Sequence, residues 1–202
     1  NKGFTLEDLE NTDTKLIKEM RDYYFNQIES YKKNKNKKIT IDKMPLNLVH
    51  VGEILRFFPN AKFILALRHP YDCVLSCFMQ NFMLNHAMAN FLNLDDTLKL
   101  YDLTMSLWKK YTNVFKIDHH LIRYEDVVSN FKKTIGDLLK FLNVKWSDNV
   151  IEFYKTAEKR GIINTPSYNQ VSQPIYSNSM YRWKNYEKEF SNSNISLENW
   201  VK

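Results

Sequence analysis

The chain has 202 residues, of which 44% are hydrophobic and 14% aromatic, and its formal net charge at pH 7 is +6. Only four glycines and five prolines are present, which excludes a fibrous chain, and no apolar run approaches the roughly 20 residues that span a bilayer. Two cysteines are too few for a disulfide framework, so we expect a cytoplasmic protein. The length predicts one domain over residues 1–202, and the positive net charge suits an anionic ligand.

The first part of the chain predicts two helices and a short strand. Thr12 or Asp13 is the expected N-cap of a long amphipathic helix that ends near residue 33. After a turn rich in lysine and asparagine, residues 39–41 predict a central strand. The apolar positions of residues 48–58 then predict a second helix.

The apolar run 62–67 follows a Pro-Asn turn signal and predicts a strand that is buried on both faces. Arg68 comes directly after this strand, and Pro70 begins a helix that we expect to reach about residue 82. Open α/β sheets bind ligands at the carboxyl ends of their strands. An anion at this position would meet the Arg68 guanidinium, the helix N-terminus and the Ser76 hydroxyl.

Strand, helix and strand in this spacing predict a right-handed unit with parallel strands. Lys43 follows the strand over residues 39–41, so we expect it at the same edge of the sheet as Arg68. Two cations at one strand edge favour a phosphate ligand.

The second half predicts mostly helices. Asp95 is the expected cap of a helix through residue 115, and His119-His120 form a turn before a strand over residues 121–124. The remaining expected elements are a helix over residues 135–142, a helix from 150 to Gly161, a polar loop over 162–178, and a last helix that carries Arg182, Trp183, Lys184 and Tyr186.

Four stretches together resemble the sulfotransferases that use 3′-phosphoadenosine-5′-phosphosulfate (PAPS). The resemblance is greatest to the bacterial branch that is linked to tetratricopeptide repeats and related to tyrosylprotein sulfotransferases. The matching stretches are residues 42–47 (DKMPLN), 58–82 with Arg68-His69-Pro70, 122–128 (IRYEDVV) and 165–176 (TPSYNQVSQPIY), followed by Arg182-Trp183-Lys184.

The resemblance implies a three-layer α/β/α domain with a central parallel sheet, of the P-loop nucleotide-kinase-like sulfotransferase type. It implies sulfuryl transfer from PAPS to an acceptor hydroxyl of a tyrosine, a sugar or a small alcohol, without a metal. The residues that it assigns are Lys43 as the catalytic cation, Arg68 and Ser76 on the 3′-phosphate, and Tyr124, Tyr168, Gln170 and Arg182 around the nucleotide.

The glycine-rich phosphosulfate loop that opens this family's domain has no counterpart in the sequence. The general base of the tyrosylprotein branch follows that loop, so no residue here is assigned to this role. We therefore expect the chain to be the carboxyl-terminal portion of a longer enzyme, with tetratricopeptide repeats as a possible N-terminal partner.

Other interpretations remain open at this point. The lysines of residues 32–38 suit a nucleic-acid-binding module, although a solvated turn explains them better. Cys73, Cys77 and His69 share a helix face but lack a fourth metal ligand. A phosphoryl-transfer protein would use Asp42 on Mg²⁺, and a non-catalytic nucleotide-binding relative would keep only the 3′-phosphate site.

Overall fold

The computed structural model describes residues 6–31, 39–155 and 174–201. The chain divides into two compact units: residues 1–61 with 107–118, and residues 62–106 with 119–202. The single domain expected from the length stays a prediction. Among the described residues, no helix combines the length and apolarity that a membrane crossing needs.

The first unit consists of helices. Helix α1 covers Leu6–Asn11 and α2 covers Thr14–Tyr31. The Asp13 carboxylate accepts a hydrogen bond of 2.7 Å from the Leu16 amide, which confirms Asp13 as the cap of α2. A 3₁₀ helix over Pro45–His50 continues into α3, Val51–Phe57.

The strand that we expected over residues 39–41 is wrong. Residues 39–44 have no regular secondary structure, and the side chains of Ile39 and Ile41 are 49% and 71% exposed. Three residues with two exposed isoleucines cannot bury enough apolar area to hold a place in a sheet. Lys43 therefore does not follow a strand.

The second unit contains a parallel pair of strands, β1 (Phe63–Leu67) and β2 (His119–Arg123). Phe63 lies opposite His119 and Leu67 opposite Arg123. This pairing confirms a parallel sheet. His119 and His120 are therefore in β2 and not in a turn.

Strand β1 is buried on one face only. Leu65 is 8% exposed whereas Ile64 is 37% exposed. The sequence had predicted burial on both faces, because an apolar run does not reveal how many layers cover a strand.

Along the chain, helices lie between the two strands and after them. Helix α4 covers Pro70–Phe78, so it ends four residues earlier than we expected. The others are α5 (Leu94–Val114), α6 (Tyr124–Ser129), α7 (Phe131–Phe141) and α8 (Glu187–Ser191). Short 3₁₀ helices cover Met88–Leu92, Asp148–Val150, Arg182–Tyr186 and Glu198–Trp200.

The cap of α5 is Asn93 and not Asp95. The Asn93 side-chain oxygen accepts hydrogen bonds from the amides of Asp95 (2.8 Å) and Asp96 (3.3 Å). A cap must precede the first helical residue, and that residue is Leu94.

The main hydrophobic core of the second unit joins α4 and α5 to the C-terminal segment. Its buried members are Tyr71, Val74, Leu75, Leu98, Phe190 and Leu197. The Leu197 amide donates to the Tyr71 hydroxyl at 3.1 Å. This core fixes α4, and with it the residues at the carboxyl end of β1, against residues 183–201. The molecule is a helix-rich α/β protein with a parallel strand pair.

Candidate functional site

Arg68 lies where the sequence predicted it, directly after the last residue of β1. Its guanidinium donates a hydrogen bond to the carbonyl oxygen of Ser179, and it lies 3.9 Å from the Asp72 carboxylate. The guanidinium carbon is 5.6 Å from the centre of the Tyr124 ring. The side chain is 23% exposed, so a rigid and accessible cation stands at the end of the strand.

Asp72 is a site residue that sequence reasoning missed. Asp72 is only 1% exposed, and its two carboxylate oxygens accept hydrogen bonds from the backbone amides of Tyr181 (2.6 Å) and Trp183 (2.9 Å). The spacing of four residues between Arg68 and Asp72 was visible in the sequence, but Arg68 precedes α4, so the rule for pairs on one helix does not predict their contact. The amide partners lie 109 and 111 residues further on, and no local pattern signals such contacts.

Ser76 lies on α4, four residues after Asp72, and is exposed. Residues four apart on a helix share a face. Ser76 therefore lies one turn after Asp72, the residue of α4 that pairs with Arg68. Arg182 lies at the C-terminal end of α4, because its guanidinium lies 4.0 Å from the Met79 sulfur. Arg68 and Arg182 thus both contact α4 or its C-cap, at Asp72 and Met79, and Ser76 lies between these two residues in the sequence.

Tyr124 begins α6, directly after β2. Its hydroxyl donates a hydrogen bond of 2.6 Å to the carbonyl oxygen of Tyr176. Burial raises the pKa of Tyr124, Tyr176 raises it further, and the Arg68 guanidinium opposes both effects. The hydroxyl therefore stays protonated and donates to the backbone at residue 176.

His69 connects the end of β1 to α6 and to the 3₁₀ helix that contains Trp183. Its amide donates to the Glu125 carboxylate at 2.8 Å, and its ring stacks on Trp183 with the ring centres 5.1 Å apart. The residue is 7% exposed. Burial lowers the pKa of His69, because the charged imidazolium loses its hydration.

The two cysteines are free thiols on α4. A hydrogen bond that the Cys73 thiol donates to Cys77, together with burial, raises the pKa of Cys73 well above its ordinary value. Within residues 6–31, 39–155 and 174–201, no three His, Cys, Asp or Glu side chains are grouped so that they could hold a metal ion.

Lys43 belongs to the first unit. Beside it, the Asp42 carboxylate accepts a hydrogen bond of 3.0 Å from the Tyr24 hydroxyl. Burial and this carboxylate raise the pKa of Tyr24. An open cavity of about 340 Å³ is lined by Tyr24, Ile28, Tyr31, Thr40, Ile41, Asp42 and Lys43. The approach of Lys43 to Arg68 stays a prediction, and Tyr168 and Gln170 lie outside the described residues.

Comparison with known proteins gives a consistent family. Residues 3–148 match the model of the sulfotransferase family. An uncharacterized protein of Aquifex aeolicus is 31% identical over 180 residues, which are 87% of this chain and 23% of that protein. Protein-tyrosine sulfotransferase 1 of Danio rerio is 27% identical over 153 residues (70% of this chain and 41% of the relative). Protein-tyrosine sulfotransferase 2 of Gallus gallus is 25% identical over 154 residues (70% and 39%).

The chain thus spans 23% to 41% of the length of these relatives. The family match covers well over half of the chain, from residue 3 to residue 148. It includes β1, α4, β2 and α6, the elements that carry Arg68, Ser76 and Tyr124. This chain therefore belongs to the sulfotransferase family.

Proposed function

We propose that this chain forms the nucleotide-binding part of an enzyme that transfers a sulfuryl group from PAPS to an acceptor hydroxyl. Two of its relatives are named as protein-tyrosine sulfotransferases, so the tyrosine hydroxyl is the acceptor that we favour among tyrosine, sugar and small alcohol. The proposal assigns no metal, because the sulfuryl group needs none to move between oxygens.

The observation that carries the proposal is the arrangement around α4. Arg68 at the end of β1 is held by Asp72 and by the Ser179 carbonyl, and the Ser76 hydroxyl is exposed on the same helix. A guanidinium and a hydroxyl give charge-assisted hydrogen bonds to a phosphate dianion. In the proposed complex, Arg68 and Ser76 bind the 3′-phosphate, and Arg182 adds a second guanidinium.

The nucleotide would lie against Tyr124. The stack of Arg68 on the Tyr124 ring and the hydrogen bond from Tyr124 to Tyr176 give this surface a fixed shape. Tyr168 and Gln170 belong to the same polar segment of the sequence, and we assign them to the nucleotide on the family resemblance.

Lys43 is proposed as the catalytic cation. During transfer the sulfur–oxygen bond to the 5′-phosphate breaks while a bond to the acceptor oxygen forms, and negative charge grows on the departing phosphate. A positioned ammonium stabilises that charge most strongly in the transition state. The support for this role is the match of residues 42–47 to the lysine-proline segment of the family.

The proposal is tested by thermal unfolding with two nucleotides that differ only in the 3′-phosphate. At 100 times its dissociation constant, a ligand stabilises the native state by about 2.7 kcal/mol, which corresponds to roughly 5 to 10 °C for a chain of this size. We expect 3′-phosphoadenosine 5′-phosphate (PAP) to raise the melting temperature of the wild type and adenosine 5′-phosphate (AMP) to have a much smaller effect.

Arg68→Ala should remove the difference between the two nucleotides. The matched control is Arg56→Ala, since the Arg56 guanidinium also donates to a backbone carbonyl, that of Thr12 at 2.9 Å, in the first unit. This control should lower the melting temperature and keep the preference for PAP. Equal effects of PAP and AMP on the wild type would refute the 3′-phosphate site.

A further inference from the structure

The two hydrogen bonds that Asp72 accepts lie on either side of Arg182. One comes from the amide of residue 181 and the other from the amide of residue 183. The backbone of residue 182 is thus attached to α4 at both of its neighbours. Its side chain then extends along the helix as far as the Met79 sulfur.

The same carboxylate also fixes Arg68. Its oxygen is 3.9 Å from the Arg68 guanidinium, and the Asp72 side chain is 0% exposed. A buried carboxylate so placed orients a guanidinium because no water competes for it. Asp72 therefore contacts one cation of the proposed phosphate site and supports the backbone of the other.

The backbone at this point is held in an uncommon conformation. Tyr181 has a φ of 57°, in the left-handed region that residues with a side chain rarely adopt. Such a conformation persists only when neighbouring contacts enforce it. The bonds from the Tyr181 and Trp183 amides to Asp72 are among the contacts that hold it here, together with the ring contact of Tyr181 with His69.

We propose that Asp72 is a positioning residue for the 3′-phosphate site, which couples Arg68 and Arg182 so that both guanidiniums meet one phosphate beside Ser76. This inference rests on the proposed function, since it concerns the same nucleotide. A carboxylate that only capped the turn at residues 181–183 would stabilise the fold and leave the choice between nucleotides unchanged. Coupling of the two arginines predicts instead that loss of the carboxylate impairs recognition of the 3′-phosphate.

The main experiment compares the dissociation constants of PAP and AMP for the wild type and for Asp72→Asn by calorimetry, below the melting temperature of each variant. The new amide has one acceptor oxygen for two amide donors and no charge for Arg68. We expect the preference for PAP over AMP to fall by about tenfold or more and the affinity for AMP to change less than about twofold.

Asp102→Asn is the matched control. The Asp102 carboxylate accepts a hydrogen bond of 2.7 Å from the Trp200 indole in the same unit, far along the chain from α4. The chemical change is identical, and it replaces a charged acceptor by a neutral one in a tertiary hydrogen bond of similar length. This variant should lose stability and keep the full preference for PAP.

A measurement on the wild type covers the case in which Asp72→Asn does not fold. At equal saturation, PAP should slow hydrogen exchange of the Tyr181 and Trp183 amides more than AMP does, because the 3′-phosphate fixes the guanidinium between them. Equal protection of both amides by the two nucleotides would overturn the role of Asp72.

The outcomes separate this inference from the proposed function. If the wild type prefers PAP and Asp72→Asn keeps that preference, Asp72 only supports the fold and the coupling is wrong. If the wild type shows no preference for PAP, the 3′-phosphate site itself is wrong. A reduced preference in Asp72→Asn but not in Asp102→Asn supports the coupling.

Discussion

The imidazole of His69 is enclosed by groups of both charges. The Asp72, Glu125 and Glu198 carboxylates favour its protonated form, while Arg123 and above all burial disfavour it. The ring lies on Trp183, and its Nδ1 atom has no hydrogen-bond partner among the described residues. The native state therefore holds this histidine neutral to a lower pH than the unfolded chain does.

This difference predicts how stability changes with pH. Below the ordinary histidine pKa of about 6.5, the unfolded chain binds a proton at His69 before the native state does. The free energy of unfolding therefore falls as the pH falls through this range, until the native His69 is protonated too. We expect His69→Phe, which keeps the ring stack, to become more stable relative to the wild type between pH 7 and pH 5.

Urea unfolding at several pH values measures this change. The control is His86→Phe, which makes the same change of side chain at an exposed position. Parallel pH profiles for the wild type and His69→Phe would contradict the predicted effect of burial.

At the scale of one helix, the start of α5 gives a direct comparison of two cap candidates. Asn93→Ala should lower the free energy of unfolding by about 1 kcal/mol, because the first-turn amides of Asp95 and Asp96 lose their acceptor. Asp95→Ala removes only a favourable charge near the helix N-terminus, which is worth a few tenths of a kcal/mol. Urea unfolding of the two variants decides the question, and an equal loss would count against Asn93 as the cap.

The elements that could be predicted are those with strong local signals. Pro59-Asn60 and Pro70 delimit β1 and begin α4, and Asp13 precedes a regular apolar stripe in α2. Local patterns failed where long-range contacts decide. Residues 39–41 have the composition of a strand but pair with no strand in the described part of the chain, and His119 and His120 are in a strand because they pair with β1.

The site shows the same division. The positions of Arg68 and Ser76 could be predicted because Arg68 follows a strand and Ser76 lies on a helix that the sequence defines. Tyr124 was assigned on the family resemblance, and the roles of all three residues stay predictions. Asp72 was missed as a site residue, since its importance comes from backbone amides more than 100 residues away. A carboxylate in the first turn of a helix is a common feature, and the neighbouring sequence does not indicate which distant backbone amides it will accept hydrogen bonds from.

For the whole molecule, the two compact units predict that binding and chemistry can be impaired separately. Lys43 belongs to the first unit and Arg68 to the second. Lys43→Ala should lower the rate of sulfuryl transfer by about 10² to 10³-fold and leave the stabilisation by PAP unchanged. The rate is measured with PAPS and a tyrosine-containing peptide.

The control for this prediction is Lys15→Ala, which removes a lysine of the same unit whose side chain is 85% exposed. It should retain both the rate and the stabilisation by PAP. A wild-type rate in Lys43→Ala would exclude this lysine as the catalytic cation.

The parallel pairing of β1 with β2 also affects how the chain is made. Phe63 pairs with His119, which is synthesised 56 residues later (119 − 63). At about 5 to 20 residues per second, roughly 3 to 11 s pass before the partner strand exists. During this time the apolar run Phe63–Leu67 has no hydrogen-bonded neighbour of its own and can pair with another chain. Lys62 and Arg68 flank the run, and charges in these positions oppose aggregation of the nascent protein.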